Sequence, residues 1–233
     1  MELVKGKKTS EVGDPNLGGL TKQGFLDKLS IMIITWHGEG AVKIQDKEAV
    51  VAINPHNGAT GKMPSFAAEL ALVGHEGATL DPIRENPLVI KNPGEYESKG
   101  VFVYGIATGA GEESSIFVLE IEGVQIGYLG GFAKDALNEE QVEKLEGVDI
   151  LLIPVGGKDV LSARQAIKII NQIEPRIVIP IEYTTTGYKG PRDGVEPFLK
   201  EFGAMKAERA DKLKIIKKDL PQDETKVIVL TPS

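Results

Sequence analysis

The sequence predicts a mixed α/β protein in which two β-sheets pack against each other with helices on the outside. Two observations predict this class. Residues 31–129 consist of short β-type runs separated by turn residues, and beyond Gly131 helical and strand patterns alternate. Two sheets with helices outside them form the simplest layering that satisfies both halves of the chain.

The first half of the predicted domain is rich in strands. The eight runs that we predict as strands are 31–35, 41–44, 49–53, 70–73, 88–90, 101–106, 115–121 and 124–129. Several are joined by turns that contain glycine, such as the turn ending at Gly123, which is typical of antiparallel hairpins. We therefore expect a largely antiparallel sheet in this half.

The second half alternates between helices and strands. We predict helices at 138–145, 162–173 and 194–202, and strands at 149–154, 176–181 and 226–230. Asn138 with Gln141, and Ser162 with Gln165, have the spacing of capping boxes at helix starts. The uninterrupted apolar runs 150–153 and 177–179 are typical of strands that are buried on both faces.

Residues 1–30 are predicted to be an N-terminal arm, and residues 31–233 to be one domain. The first twenty residues are rich in Lys, Gly, Ser, Asp and Pro and show no periodicity, which is typical of a flexible tail. Residues 21–29 place Phe25, Leu26 and Leu29 on one helical face, which favours a short docking helix instead.

The composition excludes several classes of function. A formal net charge of −7 argues against a general binder of nucleic acid or of anionic membranes, since both need a cationic surface. The absence of cysteine excludes thiolate chemistry and cysteine-based metal sites. The apolar runs are too short for a membrane helix, and the first ten residues lack a signal peptide's apolar stretch. We therefore expect a cytoplasmic protein.

Five segments resemble one known superfamily when their order and spacing are considered together. They are residues 34–40 (ITWHGEG), 54–55 (NP), 71–75 (ALVGH), 93–101 (PGEYESKGV), and the pair 148–157 (VDILLIPVGG) and 173–183 (IEPRIVIPIEY). The chain is similar to proteins of the metallo-β-lactamase fold, in the branch of small predicted zinc-dependent hydrolases similar to ascorbate-phosphate lactonases. The resemblance implies a four-layer αββα sandwich with one or two metal ions at the sheet ends.

The resemblance also implies a metal loop of the pattern His-x-His-x-Asp-His, and this chain departs from it. The matching stretch begins at His75 and Glu76 and retains only the first histidine. The other three ligand positions hold Gly77, Thr79 and Leu80, which are not usual zinc ligands. Asp81 follows one position too late to replace the missing carboxylate.

Further ligand positions implied by the resemblance are also changed. Residues 107–111 contain no histidine, and Gly131 stands where the family has a bridging aspartate. Glu182 replaces the last histidine, and Asn54 replaces an aspartate at the third strand end. His75, Glu182, Asp81 and Glu76 are thus the candidates for a remnant pocket, while Gly77, Thr79, Leu80 and Gly131 mark lost ligand positions.

These departures lead to two functional hypotheses. The main one is a pseudoenzyme, a non-catalytic structural, regulatory or ligand-binding protein, with no cofactor and no catalytic residue identified. The alternative is a metal-dependent hydrolase of a small phosphorylated or lactone-type substrate, using zinc or another divalent metal in an atypical site. That site would be drawn from His75, Glu76, Asp81 and Glu182.

Two predictions concern partners and loops. The resemblance implies a homo-oligomer, and the N-terminal arm is a candidate contact for a protein partner. The segment 182–192 is polar and aromatic, which fits either a ligand-binding or partner-binding loop or a surface connection. His37 and His56 are predicted to be solvated turn residues.

Overall fold

The computed structural model describes residues 31–58, 61–74, 77–108 and 115–233. The predicted N-terminal arm, residues 1–30, lies outside the described residues. The division of the chain into this arm and a domain at 31–233 therefore stays a prediction.

The described residues form the following elements in chain order. The strands are β1 (Met32–Trp36), β2 (Val42–Gln45), β3 (Val50–Ile53), β4 (Asn57–Gly58), β5 (Gly61–Lys62), β6 (Phe66–Ala67), β7 (Leu70–Leu72), β8 (Ile83–Arg84), β9 (Leu88–Ile90), β10 (Gly94–Ser98), β11 (Val101–Ala107), β12 (Ser115–Ile121), β13 (Val124–Tyr128), β14 (Ile150–Pro154), β15 (Ile177–Ile181), β16 (Glu208–Ala210), β17 (Leu213–Ile215) and β18 (Lys226–Leu230). The helices are α1 (Glu139–Leu145), α2 (Ala163–Ile173) and α3 (Glu196–Phe202), followed by a 3₁₀ turn at Lys217–Asp219.

Two large sheets contain most of these strands. The first has the order β17-β1-β2-β3-β7-β9, and the second has the order β10-β11-β12-β13-β14-β15-β18-β16. In the second sheet β10 to β13 form an antiparallel meander, as predicted, and β13, β14, β15 and β18 are parallel neighbours. The change to parallel pairing occurs where the sequence changes to alternating helices and strands, because parallel strands need a crossover connection.

The burial of each strand follows its apolar pattern. Strand β1 alternates between buried and half-buried residues, whereas every residue of β14 and β15 is buried. Uninterrupted apolar strands of this kind lie in the middle of a sheet that is covered on both faces. The prediction from the runs at 150–153 and 177–179 is confirmed.

The helix starts are set by the predicted capping boxes. In α1 the Asn138 side chain accepts a hydrogen bond from Gln141 N–H, and the Gln141 side chain accepts one from Asn138 N–H. Ser162 and Gln165 form the same reciprocal pair at the start of α2. These bonds satisfy N–H groups that have no partner within the helix.

One core joins the two sheets. The largest fully buried side chains in it include Trp36 from the first sheet, Phe117 and Tyr128 from the second, and Phe198 from α3. On the opposite face of the first sheet, Ala52 packs with Ala68 and Ile83 in a small separate cluster. The predicted class, a mixed α/β sandwich of two sheets, is confirmed.

Short strands are the main elements that the sequence pattern missed. Strand β17, only three residues long, pairs with β1 at the edge of the first sheet, far from it in the chain. Such a strand forms because its partner is present, and three residues carry too little periodicity to predict it. No helix within the described ranges is long and apolar enough to cross a lipid bilayer.

Candidate functional site

The ends of strands from both sheets meet at one edge of the sandwich. The turn after β1, at Glu39, bonds to the residue after β15, with 3.2 Å between Glu39 O and Glu182 N. The residue after β3, Asn54, bonds through its side chain to Gly74, two residues beyond β7, at 2.6 Å. Gly131, beyond β13, bonds to Glu182. This edge therefore brings together the segments that follow five different strands.

Glu182 is the central carboxylate at this edge. It is almost fully buried and directly follows β15, with its backbone in the left-handed region at φ 54°. Its Oε2 accepts a hydrogen bond of 2.8 Å from Gly131 N–H. The structure thus brings together two predicted positions, the candidate pocket residue Glu182 and the glycine that stands in place of the bridging aspartate.

Glu39 is a second carboxylate at the same edge, and the sequence analysis did not identify it. Its main-chain oxygen accepts hydrogen bonds from the Trp36 indole (2.7 Å) and from Glu182 N–H (3.2 Å). Its side-chain Oε1 is shielded from solvent and has no hydrogen-bond partner. Glu39 lies in the segment 34–40, which the sequence analysis used to identify the superfamily. That segment was interpreted only as a strand followed by a turn, so no role was predicted for the Glu39 side chain.

Tyr128 and Asn54 lock the two sheets together beneath these carboxylates. The fully buried Tyr128 hydroxyl donates to Gly40 O at 2.7 Å and accepts from Asn54 Nδ2 at 2.7 Å. Asn54 Oδ1 in turn accepts from Gly74 N–H. Burial, followed by the negative charge of Glu182, raises the pKa of Tyr128 well above its usual value, so its hydroxyl stays neutral.

An ion pair flanks the site. Arg192, whose side chain is 11% exposed, donates from Nε and Nη2 to the two carboxylate oxygens of Asp159, at 2.9 and 2.6 Å. Burial alone would lower the pKa of Arg192, but the hydrogen bonds to Asp159 and the charge of Glu182 raise it. The hydrogen bond from Arg192 lowers the pKa of Asp159. A fixed positive charge therefore lies within electrostatic reach of Glu182.

The segment 182–194 is held to the body of the protein. Thr184 N–H bonds to Asp193 O, and Asp193 N–H bonds to Gly156 O, both at 2.8 Å. Gly156 is required at this contact, since a Cβ there would lie 2.2 Å from Glu182 O. The predicted polar loop is therefore a fixed wall of the site. Whether it binds a ligand or a partner stays a prediction.

The predicted metal loop is only partly described. His75 and Glu76 lie outside the described residues. Gly77 is exposed with φ 90°, and Asp81 is exposed with its N–H directed to Thr79 Oγ1 at 3.3 Å. Leu80 is half-buried, and Thr79 N–H bonds to Pro55 O at 2.7 Å, which fixes this loop beside the end of β3.

The described part of the chain contains no group of three or more His, Asp or Glu side chains arranged to hold a metal ion. At this edge, the described residues provide two carboxylates, those of Glu39 and Glu182. An ion at this edge would need donors in addition to these two side chains.

Two histidines are less exposed than the sequence analysis predicted. His56 is buried, with Nε2 3.3 Å from Gly38 O, and His37 is half-buried, with Nδ1 2.9 Å from Ser233 O. The prediction of solvated turn residues is therefore wrong for both. The turns fold back onto the body of the protein, which local sequence does not reveal. Burial is the main cause that lowers the pKa of His37.

Comparison with known proteins identifies the class. Residues 33–182 match the family described as the beta-lactamase superfamily domain. A UPF0173 protein of Pyrococcus furiosus is 28% identical over 201 residues, covering 73% of this chain and 90% of that protein. The crystal structure of a putative Zn-dependent hydrolase of the metallo-β-lactamase superfamily from Thermotoga maritima has a TM-score of 0.74 and 28% identity, covering 85% of this chain and 98% of that one.

The family match spans more than half of the chain, from β1 to the residue after β15, and so includes both sheets and the edge with Glu39 and Glu182. The chain belongs to the β-lactamase superfamily, and its resemblance to the metallo-β-lactamase fold is confirmed.

The prediction that no cofactor is needed is contradicted by the relatives. A Staphylothermus marinus protein that is 30% identical over 91 residues is named a UPF0173 metal-dependent hydrolase, and it aligns with 39% of this chain and 32% of its own length. A Natranaerobius thermophilus protein bears the same name. The prediction was wrong because it relied only on the ligand positions of one family pattern, whereas the relatives are named metal-dependent hydrolases.

Proposed function

We propose that this protein is a metal-dependent hydrolase of a small phosphorylated or lactone-type molecule, acting at the edge where Glu39 and Glu182 meet. Its relatives are named metal-dependent hydrolases, which supports the reaction class. The observation that carries the proposal is the shielded, unpartnered Glu39 Oε1 beside Glu182. A buried polar atom without a partner costs about 1–3 kcal/mol, and more when charged, and a bound cation would offset this cost.

The candidate ligands are Glu39 and Glu182, together with His75 and Glu76 from the metal loop, and Asp81 as a further donor. This set has more carboxylate oxygen than the histidine-rich family pattern. Oxygen donors favour manganese and magnesium relative to zinc, so we expect a metal other than zinc to be accepted as well. A metal in such a site supplies hydroxide near neutral pH by lowering the pKa of its bound water.

The surrounding residues position the two carboxylates. Gly131 N–H holds one oxygen of Glu182, and the Trp36 indole fixes the turn that carries Glu39. Because Glu182 N–H also bonds to Glu39 O, the two glutamates belong to one hydrogen-bonded unit. Arg192 supplies a nearby positive charge that would stabilise an anionic substrate group at this edge.

The test measures metal content by mass spectrometry and hydrolysis of bis(4-nitrophenyl) phosphate and a γ-lactone in the purified full chain. Glu182→Gln keeps the acceptor for Gly131 N–H and removes the charge. We expect metal occupancy and kcat/KM to fall at least about tenfold, as even the loss of groups that only support ligands costs about 10–100-fold. Glu39→Gln should act in the same direction.

Glu143→Gln is the matched control, since Glu143 is an exposed glutamate of α1, away from this edge. It should leave both quantities unchanged. Wild-type metal content and activity that persist in Glu39→Gln and Glu182→Gln would contradict the proposal.

A non-catalytic ligand-binding protein is the second candidate. One observation favours it: Gly131 brings no side chain to the position of the bridging aspartate, and its N–H occupies one oxygen of Glu182. Metal-loaded protein that hydrolyses neither substrate class, yet is stabilised by small anions, would favour this candidate over the first.

A further inference from the structure

A cavity of about 500 Å³ lies beside the glutamate edge. Its walls come from the turn after β1, the loop after β15, and residues 229–233, the end of β18 with the three residues beyond it. His37 and Thr184, which line it, are each two residues from Glu39 and Glu182. The turn and the loop that carry the two glutamates therefore also contribute to the wall of the cavity.

Two side-chain atoms of the lining lack a hydrogen-bond partner among the described residues. His37 Nε2 and Thr185 Oγ1 are both shielded from solvent and unpaired. The other ring nitrogen of His37 is held by Ser233, 2.9 Å from its main-chain oxygen and 3.0 Å from Oγ. The ring is therefore fixed in place while Nε2 remains available. Unpaired buried polar atoms are costly, and a ligand in the cavity would satisfy both.

Two cationic side chains, Lys62 and Arg209, lie in the described lining, although the whole chain carries a net charge of −7. The lining also contains the carboxylate of Glu196, which lies 3.6 Å from the guanidinium of Arg209. Lys43 adds a third positive charge behind His37, since its ammonium lies over the ring of Phe66, which stacks on His37. Local cations in an acidic protein concentrate anions at this opening.

We infer that this cavity binds the anionic group of a small molecule, a phosphate or a carboxylate, through Lys62 and Arg209, with His37 and Thr185 bonding to the polar body of the same molecule. The inference deepens the proposed function by naming where its substrate is held. It concerns binding alone, and its test does not require hydrolysis.

The test measures binding of inorganic phosphate to the full chain by calorimetry and thermal shift at constant ionic strength, with sodium acetate as the carboxylate probe. We expect saturable binding of at least one probe. Lys62→Gln combined with Arg209→Gln should weaken it at least about tenfold, because hydrogen bonds from charged donors to an anion are stronger than those between neutral groups. Thr185→Val should weaken it less, and Thr185→Ser should restore it.

Matched controls separate a built site from general electrostatics. Arg164 resembles Arg209, since it is exposed and lies 3.4 Å from Glu201, and Lys47 is an exposed lysine beside Glu48. The double variant Lys47→Gln with Arg164→Gln removes the same charge outside the cavity. If it weakens binding as much as the cavity variant does, or if wild-type protein binds neither probe, the inference is overturned.

The preferred probe identifies the anion. Stronger binding of phosphate indicates a phosphorylated ligand, and stronger binding of acetate indicates a carboxylate. The metal content of the Lys62→Gln, Arg209→Gln variant should equal that of wild type. If the cavity variant loses probe binding but keeps its metal, the anion site in the cavity is supported independently of the hydrolase proposal. If wild-type protein binds the probe but contains no metal and hydrolyses neither substrate, the hydrolase proposal fails and the anion site stands.

Discussion

At the scale of single residues, Tyr128 joins the two sheets at the site. Its hydroxyl donates to Gly40 O, in the turn after β1, and accepts from Asn54, at the end of β3. Gly130 leaves room for this arrangement, since a Cβ there would lie 2.0 Å from the Tyr128 hydroxyl. The position of the Glu39 turn relative to the second sheet therefore depends on one buried hydroxyl group.

We predict that Tyr128→Phe lowers the free energy of unfolding by about 1–3 kcal/mol, because Asn54 Nδ2 and Gly40 O both lose a buried partner. Urea unfolding followed by circular dichroism measures the change. Tyr104→Phe serves as the control, since the ring of Tyr104 is only half-buried. A loss for Tyr128→Phe no larger than that for Tyr104→Phe would show that the hydroxyl network is not stabilising.

The residue scale is also where the sequence analysis was least complete. Glu182 could be proposed as a pocket residue because it stands at a position that the family pattern marks, and its role in a pocket stays a prediction. Glu39 was missed because its role arises from the approach of the β1–β2 turn to the end of β15, 143 positions further along the chain. Nothing in the local sequence reports that approach.

At the scale of elements, the loop 182–194 is positioned by strand ends and by one ion pair. Arg192 binds Asp159, which lies in the connection between β14 and α2, so the loop is anchored to a neighbouring connection of the same sheet. The cation of Arg192 also lies 5.6 Å from the centre of the Tyr188 ring. Loss of this anchor should loosen the wall of the site without affecting the core.

We predict that Asp159→Asn lowers stability by less than about 1 kcal/mol at neutral pH, since the Asp159 side chain is 54% exposed and solvent screens the pair. The folded-state pKa of Asp159 is lowered by its hydrogen bond with Arg192. The contribution is therefore fully present above the unfolded pKa of about 3.9, and it is lost as pH falls through the folded pKa.

Urea unfolding at several pH values between neutral and strongly acidic tests this dependence. The difference between wild type and Asp159→Asn should shrink at low pH. A difference that is the same at every pH would mean that the effect comes from packing, and the ion pair would then not explain it.

At the scale of the whole molecule, both large sheets contribute to a single core and a single edge. Strand β17 returns late in the chain to pair with β1, so the first sheet needs residues from both ends of the described chain. Ser233 N–H also bonds to Trp36 O at 3.0 Å. We propose on this basis that residues 31–233 fold as one cooperative unit.

A variant that lacks residues 1–30 tests this unit. We expect a Tm within a few degrees of the full chain and a single unfolding transition, because the core of the described ranges already joins both large sheets. Light scattering of both forms shows whether the arm takes part in assembly. A truncated chain that fails to fold would place the boundary further towards the N-terminus.

The order of the main elements, the two capping boxes, the fully buried strands β14 and β15, and the superfamily could all be predicted from the sequence. These features depend on local periodicity and on motifs in a fixed order, both of which are read along the chain. Which groups meet at the site could be seen only in the folded protein. It placed Glu39 against Glu182, buried His56, and closed a cavity between His37 and the last residues, because each contact joins segments that are distant in the chain and depends on how the two sheets pack.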